Sequence, residues 1–145
     1  MCIRDSPNEV DGDGGNALHR AAWKGCRLPL FHRMLGVTQD VNAATTSLPE
    51  TTALMLAAGN NHLDMVTALM NHPGIDVNTQ DHNNCTALHY AVYNNRPAIV
   101  AQLLRDDRID CSLKDKLNRT PLKMAIDNEH HECVKLLRGH GAPED

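Results

Sequence analysis

The most concentrated set of chemically active side chains in this sequence is the run His130-His131-Glu132-Cys133. Imidazole, carboxylate and thiolate groups are all zinc ligands, but a zinc site needs three or four of them converging on one point. The apolar pattern places Cys133 on the buried face of a helix with Val134 and Leu137. The same pattern places His130 at a turn and the two residues after it on the outside. We therefore expect no metal site here.

A second candidate for chemistry is the thiol of Cys85, which lies close in sequence to His82 and His89. A cysteine nucleophile needs a base within hydrogen-bonding reach and a third group that orients the base. No phosphate-binding loop of the form G-x-x-x-x-G-K-[ST] occurs, and the run 12–15 (G-D-G-G) lacks the spacing of a nucleotide or calcium site. The sequence therefore predicts a chain with no catalysis and no cofactor of its own.

Composition excludes further classes of ligand. Fourteen Lys and Arg against 18 Asp and Glu give a net charge of −4, so there is no global positive field for nucleic acid or an anionic membrane. No stretch approaches the roughly 20 apolar residues of a membrane span, and no signal peptide is recognisable. Five scattered cysteines without a C-x-x-C pair predict reduced thiols and a cytoplasmic location, with the nucleus also open. With only 3% aromatic residues, the core must be aliphatic.

The elements that would position these side chains follow from an internal repeat. Four similar segments carry a leucine at positions 18, 54, 88 and 122, which are spaced by 36, 34 and 34 residues. Each is followed by a second apolar cluster with the spacing of one helix face. The chain therefore consists of four units, numbered one to four, each with two short amphipathic helices. The four segments are 16–22, 52–58, 86–92 and 120–126.

Residue types at the ends of the first helices agree with this division. A Thr or Asn precedes each first helix, where its side chain can accept a hydrogen bond from a helix N–H. Gly or Asn ends the first helix in units one to three, as suits a left-handed cap, whereas Glu129 departs from this pattern in unit four. Extended residues followed by turn residues predict short β-hairpins between units. Glu50 replaces the usual turn residue in unit two, where two extra residues predict an irregular or longer hairpin.

This pattern resembles the ankyrin repeat, in which a hairpin, helix, turn and helix carry the motif T-P-L-H-x-A-A. The match covers residues 11 to 142. It implies an all-α solenoid (α/α repeat) with short β-hairpin loops, an ankyrin-repeat stack in which neighbouring units bury each other's apolar faces. We expect residues 1–10 to be a tail or a non-native leader. The four repeats are expected at 11–46, 47–80, 81–114 and 115–145.

The resemblance also implies specific roles for the histidines of the motif. The family uses this histidine to tie neighbouring hairpins and helices, and it is present here as His19 and His89. Met55 and Lys123 replace it in the other two units, so we expect an intermittent network.

As a member of such a family, the chain is expected to be a monomeric scaffold that presents a groove to a protein partner. Hairpin tips and the exposed side of the first helices would line this groove. Trp23 and Tyr93 occupy the same place two units apart, on the order of 20 Å along one face, and exposed aromatic residues are typical interface anchors. Gly59 between them would leave a shallow dip.

Cationic side chains on the last two hairpin tips complete the expected surface. The groove is thus predicted to be aromatic in its first three units and basic toward its C-terminal end. Further hairpin places are Gly12, Asp13, Gly15, Leu48, Pro49, Thr51, Cys85 and Leu117. The predicted partner-binding residues are Trp23, Lys24, Asn60, Tyr93, Asn94, Asp127 and Asn128 on the helices, and His82, Asn83, Lys116 and Arg119 on the tips.

Two alternatives stay open at this point. The stack could be the recognition arm of a larger regulatory or enzymatic protein. A second alternative, which the ligand geometry disfavours, is a metal- or thiol-dependent catalyst built on His130, His131 and Cys133 or on Cys85.

Overall fold

The helices of this protein form two parallel layers. The computed structural model describes residues 17–25, 27–37, 40–45 and 50–143. The first helices of successive units pack side by side in one layer, and the second helices pack in the other. This confirms the predicted all-α repeat stack. The helices are α1 (Ala17–Lys24), α2 (Leu28–Val37), α3 (Ala53–Gly59), α4 (Leu63–Met70), α5 (Ala87–Tyr93), α6 (Pro97–Leu104), α7 (Pro121–Asp127) and α8 (His131–His140).

Threonine caps begin the first helices as predicted. The hydroxyl oxygens of Thr52, Thr86 and Thr120 each accept a hydrogen bond from the backbone N–H three residues later, over 3.2 to 3.4 Å. Pro121 is the first residue of α7, and Pro97 is the first residue of α6. A proline costs nothing there because the first helical N–H has no partner within the helix. The Asn16 cap lies outside the described residues.

The turn between the two helices of a unit has the same left-handed backbone in all four units. Gly25, Asn61 and Asn95 have φ angles of 81°, 62° and 55°. Glu129, the departure in sequence, takes the same conformation with a φ of 57°. Glu50 likewise has a φ of 62° at the hairpin turn of unit two. A side chain with a Cβ makes this conformation costly by about 1–2 kcal/mol, so the packing of the stack imposes the turn on both glutamates.

The core is aliphatic, as the scarcity of aromatic residues requires. The four repeated leucines are at most 2% exposed, and alanines such as Ala22 and Ala58 are fully buried between helices. Small side chains at these places let the first helices approach one another closely. Phe31 is the one aromatic side chain in the buried core, whereas Tyr90 is half-buried and the other two aromatics are exposed.

The hairpins are tighter than the predicted strand pairs. Across the described residues, the one antiparallel bridge joins Ala44 to Thr52. At the tips of units three and four, an aspartate side chain accepts the backbone hydrogen bonds that a paired strand would otherwise accept. The Oδ1 atom of Asp81 accepts hydrogen bonds from the N–H groups of Asn83 and Cys85, both at 2.9 Å. Asp115 does the same in unit four. The central part of the predicted longer hairpin, 46–49, lies outside the described residues.

Side chains join each unit to the next. The Nε2–H of His19 donates to the carbonyl of Ala43 over 2.7 Å, and that of His89 donates to the carbonyl of Arg119 over 3.0 Å. The two motif histidines thus connect a helix to the following hairpin, as the family resemblance implies. Met55 instead accepts a hydrogen bond from the N–H of Thr52 on its sulfur.

A second set of bonds runs back toward the preceding unit. The residue before each of α4, α6 and α8 donates a side-chain hydrogen bond to a backbone carbonyl. This carbonyl lies near the end of the first helix of the preceding unit. The three bonds are His62 to Trp23, Arg96 to Gly59 and His130 to Val92. Together with the forward histidine bonds, they fix the spacing of the first helices. The surfaces that these helices present are therefore held in place by hydrogen bonds from side chains to backbone carbonyls.

The strained turn at Glu129 leads to a test. We expect Glu129→Gly to raise the free energy of unfolding by up to about 1 kcal/mol, because glycine removes the steric cost of the left-handed conformation. Urea denaturation measures the change. Asn61→Gly is the matched control at the same turn place, where asparagine already tolerates this backbone, and it should change stability by less than about 0.5 kcal/mol. Equal effects of the two substitutions would contradict the explanation.

Candidate functional site

A groove of about 530 Å³ lies between units three and four. One side is formed by the hairpin tips 81–85 and 115–119, and the other by side chains of α5 and α7. Met124 and Tyr90 contribute to its lining. The groove therefore occupies the angle between tips and first helices, where the sequence predicted partner contacts.

Each tip contains a buried aspartate whose second oxygen must also find a partner. Asp81 and Asp115 are both 6% exposed. In unit three, the hydroxyl of Tyr90 donates to Oδ2 of Asp81. In unit four, the guanidinium of Arg119 donates to Oδ2 of Asp115 from Nε and Nη2, over 3.1 and 2.9 Å. The two units thus satisfy the same carboxylate in two different ways.

The sequence shows this exchange once the units are aligned. Cys85 stands where unit four has Arg119, and Tyr90 stands where unit four has Met124. Unit three therefore carries a tyrosine on its helix, and unit four carries an arginine on its tip. Sequence reasoning overlooked Asp81, although its 34-residue spacing from Asp115 was a usable signal.

Burial, hydrogen bonds and neighbouring charges shift the pKa values of three side chains that line the groove. Burial, together with the bond to Asp81, raises the pKa of Tyr90 well above its usual range. Burial and the nearby carboxylates of Asp81 and Asp115 raise the pKa of Cys85 to about 12. Burial would also raise the pKa of Asp115, but the hydrogen bonds from Arg119 outweigh it and lower that pKa.

The arrangement around Cys85 is unsuited to thiol chemistry. A nucleophilic cysteine needs a low pKa, whereas this thiol stays protonated. The pKa of His89 is lowered, chiefly by burial. Its Nε2–H is bonded to the Arg119 carbonyl, and its Nδ1 accepts from the Thr86 N–H over 3.1 Å. Neither ring nitrogen is available to act as a base toward the thiol.

The groove brings together four of the predicted partner-binding residues: Tyr93, Asn83, Lys116 and Arg119. Tyr93 and Leu117 are 61% and 71% exposed, and both line the groove. Arg119 is not a free cation, because its guanidinium is paired with Asp115. Lys116 is exposed and has no ion pair within the described part of the chain.

The remaining predicted residues lie elsewhere. Trp23 is 56% exposed on α1, next to the exposed Lys24 and two units away from the groove. His82 is exposed on its tip but does not line the groove. Asp127 pairs with Lys123 over 3.2 Å. The predicted hairpin places Gly12, Asp13, Gly15, Leu48 and Pro49 lie outside the described residues.

The three asparagines predicted at the ends of the first helices make the same hydrogen bond. The side-chain amides of Asn60, Asn94 and Asn128 each donate to the carbonyl four residues earlier, over 2.8 to 3.0 Å. These bonds satisfy carbonyls at the helix ends.

The predicted dip at Gly59 is wrong, because the space is already filled. A Cβ atom at Gly59 would lie 3.3 Å from Nδ2 of Asn94 and 3.6 Å from the Tyr90 ring. The glycine lets α3 and α5 pack closely and does not open the surface.

The His130–Cys133 run is divided among different surroundings. Cys133 is fully buried, and its thiol lies 3.8 Å from Oδ1 of Asn95. The Nδ1–H of His130 donates to the Val92 carbonyl over 2.7 Å, while His131 is exposed. Within the described ranges, no group of three His, Cys, Asp or Glu side chains could hold a metal ion.

The two ways of satisfying the tip carboxylate suggest an exchange experiment. We expect Tyr90→Phe to lower the free energy of unfolding by about 1–3 kcal/mol, since it leaves an oxygen of buried Asp81 without its donor. Adding Cys85→Arg supplies the donor used in unit four and should recover part of this loss in urea denaturation. Cys85→Met, which adds bulk without a donor, is the control. Recovery with both second substitutions, or with neither, would contradict the exchange.

The lowered pKa of Asp115 predicts a pH dependence. The carboxylate stabilises the fold above the unfolded-state pKa of about 3.9, and this contribution is lost as pH falls through the lower folded-state value. Asp115→Asn should therefore cost about 1–3 kcal/mol at pH 7, where it removes a charged hydrogen-bond acceptor. The difference between wild type and variant should shrink below pH 4 in urea titrations at fixed ionic strength. A difference that stays constant from pH 7 to pH 3 would refute the assignment.

Comparison with known families agrees with this architecture. The family model described as ankyrin repeats (3 copies) matches residues 18–115 and 73–144, and the two overlapping matches together extend from α1 to α8. A search of curated proteins finds no match. Among the described helices, none is long and apolar enough to cross a membrane. Ankyrin repeats are generally protein–protein interaction modules, and the family is typically non-catalytic. The match spans most of the chain, which therefore belongs to the ankyrin-repeat family.

Proposed function

We propose that this chain is a protein-interaction scaffold and that the groove between units three and four is its main contact site. The observation that carries the proposal is the position of Tyr93 and Leu117. Both are more than half exposed, although they are large and apolar, and both line the same groove. Exposed apolar side chains grouped around a cleft are typical of protein-binding surfaces.

The groove is also well held, which favours binding. The N–H of Lys116 donates to the carbonyl of Asn83 over 3.0 Å and ties the two tips together. His89 joins α5 to the carbonyl of Arg119 on the second tip. A preformed surface avoids the entropy that a disordered binding segment loses on ordering. The scaffold therefore acts by rigid presentation.

The proposal assigns no reaction to the chain. The protonated thiol of Cys85 and the fully bonded ring of His89 support this reading. The net charge of −4 favours a protein partner over nucleic acid or an anionic membrane surface.

We further propose a monomer acting in the cytoplasm, where Cys85, Cys111 and Cys133 stay reduced as free thiols. Trp23 and Lys24, at the other end of the array, are a secondary contact.

Substitution of the two exposed groove residues tests the site. Immobilised wild-type chain should retain specific proteins from a cell extract of the source organism. The Tyr93→Ala/Leu117→Ala variant should retain them at least about tenfold less, because truncating interface anchors typically costs 1 kcal/mol or more per residue. Quantitative mass spectrometry of the bound proteins measures the loss.

Leu63→Ala is the matched control, since Leu63 is also an exposed large apolar residue but lies outside the groove. Trp23→Ala, tested separately, measures the secondary contact. All variants should keep the wild-type circular dichroism spectrum and melting behaviour. Retention of the same proteins by the double variant, with loss in Leu63→Ala, would place the contact site elsewhere.

A further inference from the structure

We infer that the groove recognises an extended peptide segment of its partner in which a large apolar side chain lies within about three residues of a carboxylate. This inference rests on the proposed function and deepens it by specifying the chemistry of the partner. Three features of the groove carry it: an apolar lining, an amide group and a cation, the last two without a bonding partner among the residues that the structure describes.

The apolar lining fits one large side chain and its neighbours. Met124 is 2% exposed, and the half-buried ring of Tyr90 lies beside it in the lining. Tyr93 and Leu117 extend the apolar surface outward into solvent. A volume of about 530 Å³ lies within the range of pockets that enclose small ligands. An inserted aromatic or aliphatic side chain would contact Met124 and would cover part of the exposed surface of Tyr93 and Leu117, removing that surface from water.

The polar groups of the lining favour a peptide over a purely apolar ligand. The side-chain amide of Asn83 is exposed and makes no hydrogen bond within the described part of the chain. An amide offers both donors and an acceptor, and so it can pair with a peptide N–H and C=O together. The tip backbone holds this residue in place through the hydrogen bond from its N–H to Asp81.

The charged side chains of the lining determine which residue of the peptide can lie next to its apolar side chain. Asp81 and Asp115 are buried, and both are bonded to donors of the chain itself: Asp81 to the Tyr90 hydroxyl and Asp115 to the Arg119 guanidinium. A basic side chain of a partner therefore finds no free carboxylate in the lining. Lys116 is exposed at the same groove and unpaired within the described residues. Among the charged lining residues, Lys116 is the exposed one, and its ammonium group complements a carboxylate.

A selection from a random peptide library tests the inference without a known partner. Peptides displayed on phage are selected on the wild-type chain and counter-selected on Tyr93→Ala/Leu117→Ala, so that groove-dependent binders remain. We expect these to be enriched in Asp or Glu within three positions of Phe, Leu, Ile, Met, Tyr or Trp.

A charge reversal then isolates the role of Lys116. Lys116→Glu should weaken binding of a synthetic selected peptide by about tenfold and shift a repeated selection toward Lys and Arg. Lys114→Glu, an equal charge change at an exposed residue outside the groove lining, should change binding by less than about threefold. Equal effects of the two reversals would overturn the inference.

The outcomes separate this inference from the proposed function. Groove-dependent peptides without acidic enrichment would overturn the inference and leave the scaffold function standing. Enrichment of basic peptides would overturn it in the same way. If no groove-dependent peptide appears, while the wild-type chain still retains proteins that the Tyr93→Ala/Leu117→Ala variant loses, the groove binds a folded surface and the peptide inference fails alone.

Discussion

A helix pair of this size cannot bury its own apolar face, and contact with the neighbouring pair is the constraint on which the whole structure depends. Leucine and alanine side chains of the first helices fill the space between units, with Gly59 and Ala58 allowing the closest approach of α3 to α5. Because each unit needs the next, the backbone conformation repeats even where the residue type is unfavourable. The left-handed Glu129 is the clearest case. Stability and surface geometry therefore have the same origin.

The buried tip aspartates show how the stack holds its hairpin tips. A hairpin too short for a strand ladder leaves backbone N–H groups without partners, and a carboxylate supplies the missing acceptors. The second oxygen of that carboxylate then needs a donor of its own. Tyr90 reaches across from its helix in unit three, whereas Arg119 satisfies Asp115 from within the tip of unit four. These interactions hold the tips, while Lys116 stays exposed with no ion pair to any residue that the structure describes.

The groove thus results from stacking, and two exposed apolar side chains line it. Tyr93 and Leu117 leave most of their apolar surface in contact with water after folding. Neither side chain is needed to bury the core, which is complete without them. Residues of this kind are better explained by an interaction with another molecule than by packing, and this is why the groove, and not the larger core, carries the functional argument.

Most of the fold follows from local sequence patterns, because helix periodicity, threonine caps and small residues act over a few positions. The repeated leucines predicted the first helix of each unit, and the apolar clusters that follow them predicted the second. The exposed place shared by Trp23 and Tyr93 followed from the same register. The candidate site could be predicted only in outline. Its tips and helices were anticipated, but whether a charged or amide side chain is free depends on where it points. Arg119 and Asn94 were expected to be available, and both have bonds within the chain.

By itself, the sequence determined the family, the helix pairs, the aliphatic core and the places where side chains leave the stack. Only the tertiary structure decided that Tyr93, Leu117, Asn83 and Lys116 share one groove and that the space at Gly59 is filled. The reason is physical. Each of these facts depends on contacts between residues about one repeat apart, across an interface whose side-chain orientations no local pattern encodes.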